Sequence, residues 1–471
     1  MLPFEKRRNM TFTRRDILSA TAAFFLDPQL PADLTLTIDN VEVAISPKRT
    51  IRTTGYNGSF PGPILRFPEG RSVTVDVVNQ TSEPELVHWH GLYIPVDVDG
   101  SSEEGTPMVP ARGNRRYSFV PRPAGTRWYH SHVYAGHNLH RSTYSGQFGI
   151  LIVEPRENTA RYDREIPLAL HGWNPYLSTK GGGGEGDEGS LEVHYEAFTI
   201  NSHALGSGEP VSVREGERVL FRIVNASATM VHRLALPGHK FLVTMLDGNP
   251  VRNPAAVNVL EIAPGERIDA IVEMNQPVIT VLGDVDDQVR KLGLGVVVEY
   301  AGRKGEPQWT APPNERWDYT IFGHSETAPE PDERIPLVFK QKWAGNRAVD
   351  HWTINGKESP KTAPIRVHAN RRHRLIFDNQ SDDMHPVHLH RHSFELVSVD
   401  GKPTRGVMKD VVDVMPRTKV EVDLVADNPG PSLFHCHMQL HMDFGFMTML
   451  EYAGDPPPPQ MSHGHRWPQR D

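Results

Sequence analysis

Two stretches far apart in the chain share one pattern: Gly125-Thr-Arg-Trp-Tyr-His130-Ser-His132 and Gly430-Pro-Ser-Leu-Phe-His435-Cys-His437. In both, a histidine follows the glycine by five residues, and a second histidine follows the first by two. Ser131 occupies in the first stretch the place that Cys436 occupies in the second. A pattern that recurs within one chain is the signature of an internal repeat.

The repeat extends outward from these stretches and has three copies. Each copy contains a hydrophobic run that ends in asparagine, at Asn79, Asn225 and Asn379. Histidines follow at +9 and +11 in the first and last copies, as His88, His90, His388 and His390. The same count in the middle copy leads to Leu234 and Leu236. The sequence therefore predicts that the outer copies share a metal site and that the middle copy holds no metal.

The hydrophobic pattern between these motifs is that of β-strands. Leu34-Thr-Leu-Thr-Ile38 and Val73-Thr-Val-Asp-Val77 alternate apolar and polar residues, and we find no long amphipathic helical repeat. Glycine, proline and asparagine interrupt the runs about every ten residues, as in β-sandwiches. We predict an all-β chain of three consecutive β-sandwich domains. The predicted segments are a leader at 1–30, domains at 31–156, 157–303 and 304–454, and a Pro/His-rich tail at 455–471.

The composition narrows the class of protein. With 471 residues the chain is long enough for three domains of ordinary size. Its 50 lysines and arginines against 58 acidic residues give a net charge of −8, which does not suit nucleic acid or an anionic membrane surface. A single cysteine excludes an intramolecular disulfide. No apolar run is long enough to predict a membrane span.

Histidine is over-represented, with 24 copies. A random distribution of that composition would contain about 1.2 His-x-His triplets, whereas the sequence contains six. One of the six, at positions 463 and 465, lies in the tail and reflects its composition. Histidine is the commonest metal ligand in proteins, so the other five triplets predict a metal centre.

The order His435-Cys436-His437 has a geometric consequence. Residues i and i+2 of a strand point to one face, and residue i+1 points to the other. The two imidazoles therefore face one site while the thiolate faces a second, and the backbone connects the two. A thiolate with two imidazoles is the ligand set of a blue-copper electron-transfer site, and His385 and His441 are the candidate imidazoles. The other eight histidines, in four pairs without a carboxylate, favour copper over hard cations.

The four motifs together resemble those of the multicopper oxidases, and the resemblance covers about residues 35–452. The motifs are His88-Trp-His-Gly91, His130-Ser-His132, His385-Pro-Val-His-Leu-His390 and His435-Cys-His-x-x-x-His441. The most similar members are three-domain, laccase-like bacterial enzymes. The resemblance implies three cupredoxin-like Greek-key domains, with the copper cluster between the first and the last.

The resemblance also implies four copper ions and a role for each ligand. His385, Cys436 and His441 would hold a type 1 copper, and His88 and His388 a type 2 copper. The type 3 pair would be held by His90, His130, His132, His390, His435 and His437. Electrons from a small reducing substrate would enter at the type 1 copper, pass through Cys436 and its neighbours His435 and His437, and reduce dioxygen to water at the trinuclear cluster.

Phe446 stands ten residues after Cys436, at the axial position of the type 1 site in the family. A weak thioether ligand is therefore absent, which favours Cu(I) and raises the potential. Met447 is expected to face away from the site. Five methionines surround the type 1 motifs, and we expect apolar packing from them, with binding of cuprous ion as the alternative. They are Met384, Met438, Met442, Met447 and Met449.

Asp99 matches a carboxylate that relatives place near the type 2 copper, which predicts that it supplies protons for dioxygen reduction. The alternative is an Asp-Gly turn. Many relatives carry a second carboxylate three or six residues after the cysteine, but here those positions hold Gln439 and Met442. Asp443 lies out of register, so a second proton donor stays open.

The remaining histidines carry no pattern. His171, His194, His203, His232 and His239 are expected to be ordinary core or surface side chains. His137 and His140 follow the second motif, and His392 extends the third, but none is predicted to be a ligand.

The N-terminal stretch Thr13-Arg-Arg-Asp-Ile-Leu18 resembles a twin-arginine export signal, and an apolar stretch at 17–26 follows it. The apolar stretch is short and lacks a clear cleavage site. We expect a periplasmic or secreted protein.

The expected activity is oxidation of phenols and aromatic amines with dioxygen as the acceptor. Two alternatives stay open at this point. One is a cuprous or ferrous oxidase for copper tolerance, and the other is a non-catalytic copper-binding protein on the same fold. The oligomeric state is not predicted.

Overall fold

The computed structural model describes residues 31–157, 161–180 and 189–454. The predicted leader and tail, with the twin-arginine motif, lie outside these residues. No helix within the described ranges is long and apolar enough to cross a membrane.

The first domain consists of two four-stranded sheets, ordered β2-β1-β4-β6 and β3-β8-β7-β5. A short helix, α1 (Val96–Asp99), follows β5. The strands are β1 (Leu34–Ser46), β2 (Arg49–Tyr56), β3 (Leu65–Pro68), β4 (Val73–Asn79), β5 (His88–His90), β6 (Asn114–Phe119), β7 (Gly125–His130) and β8 (Phe148–Glu154). A 3-10 turn, Ser142–Tyr144, precedes β8.

The middle domain pairs a six-stranded sheet, β10-β9-β12-β17-β14-β15, with a five-stranded sheet, β11-β19-β18-β13-β16. Helix α2 (Asp287–Lys291) lies between β18 and β19. The strands are β9 (Arg164–Lys180), β10 (Ser190–Ile200), β11 (Val211–Val213), β12 (Arg218–Asn225), β13 (His232–Ala235), β14 (Phe241–Leu246), β15 (Asn249–Val257), β16 (Val259–Ile262), β17 (Arg267–Glu273), β18 (Thr280–Asp284) and β19 (Gly295–Tyr300).

The last domain repeats this plan. One sheet has the order β21-β20-β23-β29-β25-β26 with β27 beside β25, and the other has the order β22-β31-β30-β24-β28. Helix α3 (Gln439–Asp443) lies between β30 and β31, and a 3-10 turn, Tyr319–Phe322, precedes the domain's first strand. The strands are β20 (Glu333–Lys342), β21 (His351–Ile354), β22 (Ile365–Val367), β23 (Arg372–Asn379), β24 (His385–Leu389), β25 (Phe394–Val399), β26 (Lys402–Pro403), β27 (Met408–Lys409), β28 (Val411–Val414), β29 (Lys419–Val425), β30 (Ser432–Cys436) and β31 (Met447–Tyr452).

The predicted all-β architecture of three cupredoxin-like β-sandwiches is confirmed. The alternation of apolar and polar residues along the sequence explains why these segments form strands with one buried face. Along β4 every second residue is buried, beginning with Val73, and the residues between are half-exposed. The two sheets of each domain enclose these apolar faces. One cluster of buried apolar side chains includes residues of both the middle and the last domain, so these two domains share a hydrophobic core. The exact domain boundaries stay predictions.

The strand registers show how the copies correspond. His88 pairs with His130 across β5 and β7, as His388 pairs with His435 across β24 and β30. In the middle domain Leu234 of β13 pairs with Asp284 of β18, as Val387 pairs with Cys436. Asp284 therefore occupies the position of Cys436.

The strand register of the middle domain is shifted by one residue from the +9 and +11 count that starts at Asn225. Ala235 and Pro237 correspond to His388 and His390, because the middle domain has one more residue between its asparagine and the paired strand. The apolar pair Leu234 and Leu236 was therefore the wrong pair. Ala235 and Pro237 are also apolar, so the middle domain has no imidazole at either position.

Candidate metal centre

His385, Cys436 and His441 form one compact group. The Cys436 Sγ lies 3.7 Å from His385 Nδ1 and 3.5 Å from His441 Nδ1, and the two nitrogens are 3.1 Å apart. Ser381 Oγ lies 2.8 Å from His385 Nε2, which leaves Nδ1 facing the thiol. Trp352 stacks on His441 with ring centroids 3.9 Å apart. Both imidazoles are thus held with Nδ1 toward one point.

Burial sets the charge state of this group. Desolvation lowers the pKa of His441 to about 4 and lowers that of His385 well below its usual range. It raises the pKa of the Cys436 thiol well above its usual range. The imidazoles are therefore neutral, as metal ligands must be, and the thiol needs a bound cation to ionise.

Phe446 lies against this group and is fully buried. Its ring centroid is 4.6 Å from that of His385 and 4.7 Å from that of Phe339. Met447 packs in a separate cluster with Leu433 and Met442, as the alternation of β31 requires. The apolar side of the group is therefore formed by a phenyl ring.

The other eight predicted histidines lie together between the first and last domains. The ring of His90 stacks on that of His388 at 3.8 Å between centroids, and His88 stacks on His390 at 3.9 Å. Their ligand atoms fall into three groups of three, each within 4.8 Å: His88, His90 and His388; His90, His130 and His437; His132, His390 and His435. All eight are buried.

In four of these eight rings at least one nitrogen has no hydrogen-bond partner. The Nδ1 of His88 donates to the Asp99 carbonyl at 2.9 Å, and that of His388 donates to the Asp410 carbonyl at 2.8 Å. Their Nε2 atoms, and the Nε2 atoms of His132 and His437, are buried without a partner. Buried polar atoms without partners are rare in proteins and costly. The donor set therefore fits metal ions bound among these nitrogens.

His90 is oriented the other way round. Its Nε2 lies 3.1 Å from Asp410 Oδ1, and its Nδ1 faces His130 Nε2 at 3.4 Å. The ring therefore presents Nδ1 to the cluster.

Asp99 ends α1, and Gly100 follows in the left-handed region with φ 99°. Its Oδ2 lies 2.8 Å from His390 Nδ1 and 3.1 Å from His88 Nδ1, and the side chain also shares a hydrogen bond with Glu104. The structure therefore brings Asp99 beside the cluster, bridging a histidine of the first domain and one of the last.

Glu104 and Asp410 were missed by the sequence reasoning. Glu104 Oε1 accepts a hydrogen bond from the Leu433 amide at 2.6 Å and lies 3.3 Å from His390 Nδ1. Burial and the neighbouring Asp99 carboxylate raise the pKa of Glu104 well above its usual range. Neither residue belongs to a motif, so no local signal in the sequence could have found them.

Profiles of the multicopper oxidase family match residues 37–158, 180–280 and 334–455. The chain belongs to the multicopper oxidase family. The multicopper oxidase MmcO of Mycobacterium tuberculosis is 31% identical over 439 residues, covering 85% of this chain and 83% of that protein. Laccase-3 of Thanatephorus cucumeris is 24% identical over 510 residues, covering 85% of this chain and 87% of that one. A crystal structure of a multi-copper oxidase from Pseudomonas thermotolerans gives a TM-score of 0.69 at 25% identity, covering 90% of this chain and 100% of that one.

Membership of the multicopper oxidases confirms the resemblance and implies copper cofactors and an oxidase reaction with dioxygen as acceptor. The four ligand groups of this structure are compatible with copper.

In this multicopper oxidase Asp443, unlike Asp99, does not hydrogen-bond to the cluster histidines, and it lies at the end of α3 against the first domain. Its Oδ2 accepts hydrogen bonds from the Ala135 and Gly136 amides at 3.2 and 2.8 Å, and Gln439 Nε2 donates to Oδ1 at 3.0 Å. Burial raises the pKa of Asp443 to about 7. These contacts link α3 to the first domain. Met442 packs with Leu433 and offers no proton.

The position of the Cys436 group is filled differently in the other two domains. In the first domain Glu85 and Ser131 take the places of His385 and Cys436, and Ser131 Oγ donates to Glu85 Oε2 at 3.2 Å. In the middle domain His232 and Asp284 take them, with His232 Nδ1 3.0 Å from Asp284 Oδ2. Neither pair contains a thiolate.

Other histidines have ordinary environments. His171 Nδ1 donates to the Ala226 carbonyl at 2.8 Å, and His392 Nε2 lies 2.7 Å from the Tyr452 hydroxyl. His137 packs edge-on against Phe444.

Proposed function

We propose that the chain is a laccase-like oxidase of phenols and aromatic amines that reduces dioxygen to water. The observation that carries the proposal is the position of Cys436 between His435 and His437. The thiol belongs to one three-ligand group, and the two flanking imidazoles belong to two others. A covalent connection one residue long therefore links an electron-accepting group to a histidine cluster.

The proposed loading is four copper ions. A type 1 copper would be held by His385, Cys436 and His441, with Phe446 on its axial side. A type 2 copper would be held by His88 and His388. The type 3 pair would be held by His90, His130 and His437 on one ion and His132, His390 and His435 on the other. Copper so bound supplies one-electron oxidation of donors and four-electron reduction of dioxygen.

Asp99 is the proposed proton donor for that reduction. Its Oδ2 is engaged by two cluster histidines, and the same side chain shares a hydrogen bond with Glu104. Against the effect of burial, His88 and Glu104 lower the pKa of Asp99, so this carboxylate would relay a proton from a neighbouring group to a molecule bound in the cluster. Glu104 lies beside it and has a pKa raised by burial and by Asp99, so it holds a further proton within the same pocket.

The reducing substrate would donate electrons at the edge of His441. This imidazole is 8% exposed, whereas His385 and Cys436 are fully buried. Aromatic rings lie close to this ligand: Trp352 stacks on the face of His441, and Phe444, which follows α3, packs against His351. An aromatic surface beside the exposed ligand favours an aromatic donor.

The methionines near the type 1 group support this choice over a cuprous oxidase. Met438, Met442 and Met447 are buried, and Met449 packs against the same small apolar cluster as the last two. The three buried thioethers serve packing and are not exposed to an incoming ion, and the half-buried Met384 and Met449 also pack against apolar clusters.

The test is oxygen uptake by one copper-loaded preparation with a panel of phenols, an aromatic amine, bilirubin, Fe(II) and Cu(I). We expect the largest kcat/KM with phenols, unchanged by added copper. A larger value with Cu(I) or Fe(II) would replace the proposal by a metal oxidase. An absence of oxygen uptake with every donor, from a protein that holds copper, would indicate a non-catalytic copper-binding protein.

We also propose that the chain is exported to the periplasm or secreted, on the strength of Thr13-Arg-Arg-Asp-Ile-Leu18 alone. Changing Arg14 and Arg15 to lysine should retain the protein in the cytoplasm in cell fractionation. Unchanged export of that variant would contradict the assignment.

A further inference from the structure

A buried carboxylate joins all three domains beside the histidine cluster. Asp410 lies between β27 and β28 and is fully buried. Its Oδ1 accepts a hydrogen bond from Arg267 Nη1 at 2.6 Å, and its Oδ2 accepts one from Arg267 Nη2 at 2.5 Å. Arg267 begins β17 of the middle domain and is also fully buried. The two side chains thus form a bidentate pair, the strongest arrangement of these groups.

The same aspartate contacts two predicted copper ligands from different domains. Its Oδ1 lies 3.1 Å from His90 Nε2, and its backbone carbonyl accepts a hydrogen bond from His388 Nδ1 at 2.8 Å. It therefore holds the orientation of one ring from the first domain and one from the last. These two rings stack on each other.

The other bonds of Arg267 fix where its guanidinium lies. Nε donates to the Thr126 carbonyl of the first domain at 3.3 Å, and Nη1 and Nη2 donate to the Gly265 and Asp247 carbonyls, each at 3.0 Å. Every N–H direction of the guanidinium fork is used. Asp247 in turn accepts hydrogen bonds from the Asp410 and Val411 amides at 3.2 and 3.1 Å. The fork cannot rotate away from Asp410 without breaking several of these bonds.

We propose that Arg267 and Asp410 form a positioning pair through which the metal-free middle domain holds the histidine cluster. This inference rests on the copper loading proposed above. A carboxylate that accepts from the non-ligating nitrogen of a histidine fixes the tautomer and raises the basicity of the ligating nitrogen. The bidentate pair with Arg267 holds that carboxylate in place. The middle domain thereby acts on copper ligands that it does not itself contain.

The test is copper retention by the holoprotein of the Asp410→Asn variant. Removal of a partner of this kind costs about 10–100-fold in metal affinity. By metal analysis we expect cluster copper to be lost to a chelator about 10–100-fold more readily than from the wild type. The blue thiolate-to-copper absorption should persist, because His385, Cys436 and His441 do not contact Asp410.

Asp423→Asn is the matched control. Asp423 is a buried bidentate partner of Arg374 within the last domain, with bonds of 2.7 and 3.1 Å. The Asp423→Asn substitution should lower the melting temperature without changing the retention of cluster copper. Equal copper loss from the two variants, or wild-type retention by Asp410→Asn, would overturn the proposal.

Arg267→Lys provides a second route if Asp410→Asn does not fold. A lysine keeps the positive charge but cannot form the bidentate pair, so we expect the same selective loss of cluster copper to a smaller degree. Wild-type retention in this variant would also overturn the proposal. If the wild-type protein itself binds no copper, the proposed function fails instead, which distinguishes the two outcomes.

Discussion

The middle and last domains contain the same pocket, but a hydrogen-bonded His–Asp pair occupies it in the middle domain and a thiol with two imidazoles occupies it in the last. In both, a serine holds the Nε2 of an equivalent histidine: Ser381 lies 2.8 Å from His385, and Ser227 lies 3.0 Å from His232. In both, a five-residue helix follows the paired strand and ends near a glycine in the left-handed region, Gly445 at φ 116° or Gly293 at φ 118°. The backbone of the site is therefore common to the two domains.

The difference lies in two side chains. Where the last domain has Cys436 and His441, the middle domain has Asp284 and Val289. Asp284 accepts a hydrogen bond from His232 Nδ1 at 3.0 Å, so the pair satisfies itself. In the last domain the thiol is 3.5 Å or more from each imidazole nitrogen, and three soft or borderline donors face one point. The fold supplies the same pocket in both domains, whereas the residue opposite the histidine decides whether the pocket offers a soft ligand set to a metal.

Among the substitutions that test this difference between the domains, Cys436→Ser should have the largest effect on colour and activity. A hydroxyl cannot replace the thiolate as a soft ligand, so the blue absorption and the oxidase activity should disappear while the domains still fold. Absorption spectra, oxygen uptake and circular dichroism would measure this. Asp284→Ser is the control, since it changes the equivalent residue of the middle domain and should leave colour and activity intact. A blue Cys436→Ser protein would refute the type 1 assignment.

The second prediction concerns the protons that Asp99 of the first domain is proposed to deliver to the cluster. Asp99→Asn keeps the shape of the side chain and removes its titratable proton. Turnover should fall by about 10²-fold or more, the usual contribution of general acid catalysis, with copper content and blue colour retained. Stopped-flow reduction of the type 1 copper by substrate should stay fast, and that copper should rest reduced under air.

Asp97→Asn, on the same short helix, is the matched control and should turn over normally. The assignment of Asp99 fails if Asp99→Asn turns over at the wild-type rate. It also fails if the variant simply loses the type 2 copper.

The third prediction is that the His232–Asp284 pair of the middle domain contributes to stability and not to copper binding. His232→Ala leaves Asp284 buried without its main partner, which should lower the free energy of unfolding by about 1–3 kcal/mol. Copper content and blue colour should not change, whereas His385→Ala should abolish the colour. Chemical denaturation and metal analysis would measure both. Loss of copper from His232→Ala would mean that the middle domain has a metal role.

The smallest effect expected is that of Phe446→Met. A thioether donor at the axial side would stabilise Cu(II) and lower the type 1 potential. We expect a decrease of about 60 mV, which corresponds to a tenfold change in relative stability for one electron. Leu294→Met, at the equivalent position of the middle domain, should leave the potential unchanged. A rise, or no change, in the redox titration of Phe446→Met would mean that Phe446 is not axial.

Much of this molecule could be predicted from local patterns. The alternation in β4 and the spacing of His435, Cys436 and His437 follow from the two-residue period of a strand, which operates within a few residues. The side chains so predicted are brought together in the structure, although their roles as copper ligands stay proposals. The count from Asn225 gave the wrong pair, because one extra residue before β13 shifts the register and only strand pairing shows it.

Sequence alone determined the alternation of the β-strands and the thiol between two imidazoles, because each depends on residues within a few positions of one another. Only the tertiary structure showed that Glu104 contacts His390. It alone also showed that Asp410 of the last domain bonds to Arg267 of the middle domain and to His90 of the first. Arg267 and Asp410 are 143 residues apart along the chain. No periodicity links such positions, since their contact is set by the packing of whole domains against one another.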